Sequence, residues 1–278
     1  MEAESLIQKL RHYEAQLEIL DKRDRLRGLS FLPSQLKLLE AYRDPKIKTV
    51  LMTAANQVGK SFVAFACMAA TIEGYEPWNG IPRAHKPPVK IALHVPDYDN
   101  HARKFVENHV LQFYDRRLLH IDSTQQGAPR SVRFPNGSIV RIFTDDQDSM
   151  RLEGDTWHEL YVDEPAPRDH IIALQRGLSF YSGKTIMTMT PLSEPWIFDD
   201  IYVKALNLGG EREDIFAITA FPDENLKSHG GYLPDKDVEI FRAGLSEEER
   251  EARVHGRWMH LLGRVYKSFD ERIHLVDH

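Results

Sequence analysis

The chain has 278 residues, of which 42% are hydrophobic and 28% charged, and its formal net charge is −6. That composition fits a soluble globular protein of one large or two modest domains, and it argues against a protein that coats nucleic acid over its whole surface. The single cysteine, Cys67, excludes an intramolecular disulfide. No apolar run is long enough to cross a bilayer, and Met1-Glu2-Ala3-Glu4-Ser5 is too polar for a signal peptide, so a cytoplasmic protein is expected.

In chain order, Leu6, Leu10, Tyr13, Leu17 and Leu20 recur at spacings of four and three among charges of both signs. This predicts an amphipathic helix over 6–20, either an arm docked on its own domain or a contact with another subunit. From Lys48 the pattern alternates. Thr49–Thr53 reads as a buried strand, Phe62 to Thr71 as a helix, Val89–Val95 as a second strand and His101 to Tyr114 as a helix. Ser131–Phe143 alternates around Asn136-Gly137, a hairpin signal. His158–Asp163 and Lys184–Thr190 read as strands separated by a helix near His170–Leu178, and Asp214–Phe221 as the last strand. Strands alternating with helices predict an α/β fold with a mostly parallel sheet covered on both faces. Beyond Pro222 the strand signal stops; Ser246 caps a helix that Gly256 would stop, so 222–262 reads as a small helical appendage. Between Arg83 and Arg141 there are ten Lys/Arg against five Asp/Glu, compatible with one DNA-facing surface and with solvated helix faces. The 13 histidines are scattered, and no Cys/His spacing fits a zinc site.

Ala54-Ala55-Asn56-Gln57-Val58-Gly59-Lys60-Ser61 stands between a predicted strand and a predicted helix. A tight turn there collects backbone N–H groups of Asn56, Gln57, Val58 and Gly59 and a helix N-terminus at one point, which stabilises oxyanions. Lys60 would reach the β/γ-phosphates of a nucleoside triphosphate, and the Ser61 hydroxyl would ligate Mg²⁺. Ala54 stands where the usual pattern has Gly, so the turn has less conformational freedom. About a hundred residues later the apolar Leu160-Tyr161-Val162 ends in Asp163-Glu164. A carboxylate at such a strand tip is placed to hold Mg²⁺, and the next one to polarise the attacking water. Thr188-Met189-Thr190-Pro191 ends the following strand, where the hydroxyls of Thr188 and Thr190 would sense the γ-phosphate.

The series resembles the ATPase domain of the large terminase subunit of tailed double-stranded DNA bacteriophages. It rests on Phe31-Leu32-Pro33-Ser34-Gln35, the variant loop Asn56–Ser61, Arg151-Leu152-Glu153-Gly154-Asp155, Val162-Asp163-Glu164 and Thr188–Pro191. Residues 248–266 look like the family's passage toward a nuclease domain. The resemblance implies a P-loop NTPase of the additional-strand, catalytic-glutamate type with ATP and Mg²⁺ as cofactors. It divides the chain into an N-terminal arm (1–28), an ATPase core (29–221), a lid-like helical part (222–262) and the start of a linker to an absent nuclease domain (263–278). Gln35 would contact adenine. Arg151 would enter a neighbouring subunit's site as a catalytic arginine beside Lys60 and Glu164, the alternative being a surface ion pair among Asp145, Asp146, Asp148 and Glu153. The implied partners are double-stranded DNA, a homo-oligomeric ring (a pentamer on the portal), the portal protein and the small terminase subunit, with no membrane. The implied place is the cytoplasm of an infected bacterium, at the procapsid. Two other readings remain: half of a helicase-like translocase, and a nucleotide-binding assembly protein with weak or no hydrolysis.

Overall fold

The computed structural model describes residues 2–55, 57–206, 212–245 and Trp258. Eight strands make one sheet: β1 (Thr49–Ala54), β2 (Lys90–Val95), β3 (His120–Ser123), β4 (Pro129–Arg133), β5 (Ile139–Thr144), β6 (Glu159–Asp163), β7 (Lys184–Met189) and β8 (Ile215–Ala220). Their order is β3-β4-β5-β2-β6-β7-β1-β8. From β5 to β8 every pairing is parallel, and only β4 runs against the rest, pairing antiparallel with both β3 and β5.

Period-two alternation along the central strands divides the apolar residues between two cores, one on each face. In β1, Val50 and Met52 join the core that takes in Leu38, Phe65 and Met68, while Leu51 joins the other, with Trp157, Leu174 and Met187. The first core includes residues of α2 (Pro33–Arg43), α3 (Lys60–Glu73) and the helical run 98–113; the second is covered by the helices Arg168–Arg176 and 195–206. Parallel strands covered on both sides explain why their sequences are nearly continuous apolar runs.

The expected strands and hairpin are all present. The sequence reading had no counterpart for β3, whose His120, Asp122 and Ser123 are exposed. α1 (Glu2–Arg27) extends beyond the expected 6–20 at both ends. Leu10, Tyr13, Leu17 and Leu20 on it are 55–66% exposed. The arm meets the body instead through buried Leu26 and through a Glu18–Arg117 ion pair of 2.9 Å, so its apolar seam is not what docks it.

After β8 come the 3₁₀ turns Pro222–Asn225 and Lys227–His229 and the helix Asp235–Ala243. The Ser246 cap, the Gly256 stop and the linker 263–278 lie outside the described residues. Among the described residues, no helix is long and apolar enough to cross a membrane.

Candidate functional site

β1 leads into the loop before α3, and β6 carries the two acids, yet these strands are not neighbours. β7 lies between them, with Met52 opposite Thr188 and Thr188 opposite Asp163. That register levels the carboxyl ends of three strands, where parallel α/β sheets bind ligands. Gln57 has φ 66° and Gly59 φ 75°. A Cβ at Gly59 would stand 2.7 Å from Gln35 Nε2, so any other residue there would strain the left-handed turn and push the Gln35 amide aside. Asn56 lies outside the described residues.

Side chains far apart in sequence converge at this edge. Ser61 donates to Asp163 Oδ1 at 3.0 Å, and Thr188 donates to the same oxygen at 2.9 Å. Lys60 Nζ lies 2.8 Å from Thr190 Oγ1, 3.3 Å from the Ala55 carbonyl and 3.6 Å from Glu164 Oε1. The Thr190 N–H donates to Glu164 Oε2 at 2.9 Å, closing a ring of Lys60, Glu164 and Thr190. Burial pushes the Asp163 carboxyl up to about 6; the charge on Glu164 adds to this, while the Ser61 and Thr188 hydroxyls and Lys60 oppose it. A buried carboxylate in that environment, with a hydroxyl beside it, is a hard-oxygen donor set suited to Mg²⁺. Glu164 itself has φ 79°, a conformation that costs a non-glycine residue on the order of 1–3 kcal/mol and collects at functional sites.

Of the two threonines, Thr190 meets the side chains of Lys60 and Glu164, while the Thr188 hydroxyl donates to Asp163 and its carbonyl accepts the Glu164 N–H at 2.8 Å. Gln35 is buried, donating to the Val58 and Gly59 carbonyls at 3.1 and 3.3 Å and accepting the Leu32 N–H at 2.9 Å. Its amide thus ties α2 to the loop. Arg151 lies apart from this cluster. It is exposed on the turn Ser149–Leu152 after β5 and lines a cavity of about 700 Å³ with Tyr98, Arg130, Arg141 and Asp148. Among the described residues it has no ion-pair partner, whereas Glu153 pairs with Arg176 and Asp155 with Arg141. Sequence reasoning missed Glu224 and Asn225, which touch α2 and the loop through the Ser34 N–H and the Gln57 carbonyl. These contacts span 190 and 168 positions, so no local pattern announces them.

No curated protein matched the chain by sequence. Two crystal forms of the large terminase from a thermophilic bacteriophage resemble it in structure. One, in complex with ADP, has a TM-score of 0.62 and 15% identity over 89% of this chain and 58% of that one. The other has a TM-score of 0.61 at the same identity and coverage. The chain thus spans 58% of the length of these structures, and at this identity the likeness establishes the fold. A family model described as terminase large subunit, T4likevirus-type, N-terminal, matches residues 51–273. With that match added to the sheet order and the convergent loop and acids, the chain belongs to the T4likevirus-type large terminase subunit family.

Proposed function

We propose that the chain hydrolyses ATP at the Lys60–Asp163–Glu164 cluster and that this hydrolysis drives double-stranded DNA into a viral procapsid. One observation carries the reading: the 3.0 Å bond from Ser61 to Asp163 brings the phosphate loop and the acidic strand tip, 102 positions apart, into a single site. That the large terminase of the thermophilic bacteriophage was solved with ADP supports a nucleotide as the ligand.

The loop N–H groups and Lys60 would hold the phosphates, Lys60 reaching the β/γ oxygens. Ser61 and Asp163 would hold Mg²⁺, which when bound neutralises charge on the phosphate oxygens. Glu164 would aim a water at the γ-phosphorus and accept its proton as the bond to the ADP oxygen breaks. Thr190 lets the two ends of the reaction sense each other, since its hydroxyl meets Lys60 and its N–H meets Glu164. Gln35 would place adenine on the loop it already touches. Arg151, exposed and turned to another cavity, would serve a neighbouring copy in a ring, a pentamer on the portal, working with the portal protein and small terminase subunit in the host cytoplasm.

The test is phosphate release from Mg·ATP with and without double-stranded DNA. Glu164→Gln should keep Mg·ATP affinity and lose about 10²–10⁴-fold in turnover. Tight binding by the parent chain with no release under either condition would make it a nucleotide-binding assembly protein instead.

A further inference from the structure

We infer that Asn225 is a positioning residue for nucleotide binding: its side-chain amide holds the Gln57–Val58 peptide of the phosphate loop in the orientation that binds phosphate. The inference rests on the ATP reading of the site and names a residue outside every motif of the sequence.

Asn225 is 7% exposed and lies in the turn that follows β8. Its Nδ2 donates to the Gln57 carbonyl at 2.7 Å, and its Oδ1 accepts the Tyr232 N–H at 3.0 Å. The chemistry fixes which way the amide faces. Reversed, it would set an oxygen against the Gln57 carbonyl and an NH₂ against the Tyr232 N–H, losing both bonds. Gln57 needs such a hold, because at φ 66° its Cβ disfavours the backbone and its exposed side chain makes no bond among the described residues. The Gln57 carbonyl and the Val58 N–H belong to one planar unit and point in opposite directions. Holding the first therefore aims the second.

The turn that presents Asn225 is itself braced. The Glu224 carboxylate accepts the Ser34 N–H at 2.8 Å in the first turn of α2, and Tyr232 meets Ser30 through their hydroxyls at 2.7 Å. Arg242, on the helix Asp235–Ala243, donates to Asp223 at 2.6 Å. The Leu233 N–H closes on the Asn225 carbonyl at 2.7 Å, and a Cβ at Gly231 would collide with the Asn225 backbone. The amide reaches the loop from a frame anchored on the helix that carries Gln35.

Loop N–H groups meet the phosphates alike in the ground and transition states, so losing their alignment raises KM and leaves kcat alone. Asn225→Ala should raise KM for Mg·ATP by about 5–10-fold, the span of one buried hydrogen bond, with kcat within about twofold. The Kd of a fluorescent ADP analogue should weaken by the same factor. A merely structural role does the reverse, lowering the active fraction and hence kcat at constant KM. Asn225→Asp keeps the acceptor for Tyr232 but faces the Gln57 carbonyl with an oxygen, and should raise KM at least as much. Gln57→Gly removes the Cβ that opposes the left-handed turn; in that background Asn225→Ala should cost about twofold or less. An unchanged KM in Asn225→Ala, or the same loss in both backgrounds, overturns the inference while leaving the ATP reading in place. A parent chain that binds no nucleotide overturns both.

Discussion

Replacing Glu159 with Gln should destabilise the whole domain, although the side chain lies at the opposite end of β6 from the acids. Glu159 is 2% exposed, and its carboxylate accepts from the hydroxyls of Tyr42 at 3.0 Å, Thr71 at 2.7 Å and Tyr161 at 2.5 Å. Burial first and the Glu159 charge second hold both tyrosines far above their ordinary ionisation range, so all three hydroxyls remain donors. Arg83 adds a cation 3.9 Å away. Gln offers one acceptor oxygen and brings two N–H groups into a pocket already full of donors. Bonds to a charged acceptor are worth about 1.5–3 kcal/mol, and a buried donor left unpaired costs about 1–3 kcal/mol. Arg83 keeps Glu76 at 3.6 Å, which limits the electrostatic part. A net loss of about 3 kcal/mol follows, and at 2–4 °C per kcal/mol Tm should fall by roughly 6–12 °C. Urea and thermal unfolding followed by tryptophan fluorescence would measure it. Adding Tyr161→Phe removes one competing donor, so the double variant should lose less than the sum of the singles. A Glu159→Gln protein within about 0.5 kcal/mol of the parent, or strictly additive losses, would refute this account.

Lys60→Ala and Arg151→Ala proteins should each release little phosphate, yet a mixture should recover part of the activity if Arg151 completes a neighbour's site; full activity of Arg151→Ala alone in an assembled ring removes that role. His94 makes a different test. It is buried, its Nε2 is 3.2 Å from His170 and 3.7 Å from Asp145, and burial, then His170, lowers its pKa to about 3. With the unfolded value at about 6.5, the folded state binds fewer protons, so this group costs stability as pH falls from about 6.5 toward 3. Asp145, raised to about 6 chiefly by burial, acts in the opposite sense as pH falls below 6. His94→Gln should therefore gain stability relative to the parent between pH 6 and pH 4 in denaturant melts, and parallel pH profiles would contradict the assignment.

How much of this was legible follows from how locally each feature is encoded. β1, β6 and β7 are buried on both faces, so their apolar runs and polar ends marked them, and Lys60, Ser61, Asp163 and Glu164 with them. β3 was missed because His120-Ile121-Asp122-Ser123 is an edge with one apolar residue. The seam on α1 was read correctly as a helix face, but the arm meets the body through Leu26, one residue from the helix end, and through Glu18. Gln35 was picked out by its place in a resemblance; its partners within the chain, two loop carbonyls and the Leu32 N–H, depend on how α2 packs. The left-handed backbone at Glu164 leaves no trace in residue type, because glycine or asparagine would be the comfortable choice there.

A population of variants screened only for surviving heat, with no demand for turnover, would be expected to replace Glu164 early, with Gly or Asn relieving both the backbone and the neighbouring Asp163. If Glu164 serves ATP hydrolysis as proposed, the same population grown under a requirement for DNA packaging would keep the glutamate. Comparing the two would test, from survival counts alone, whether Glu164 belongs to the working centre.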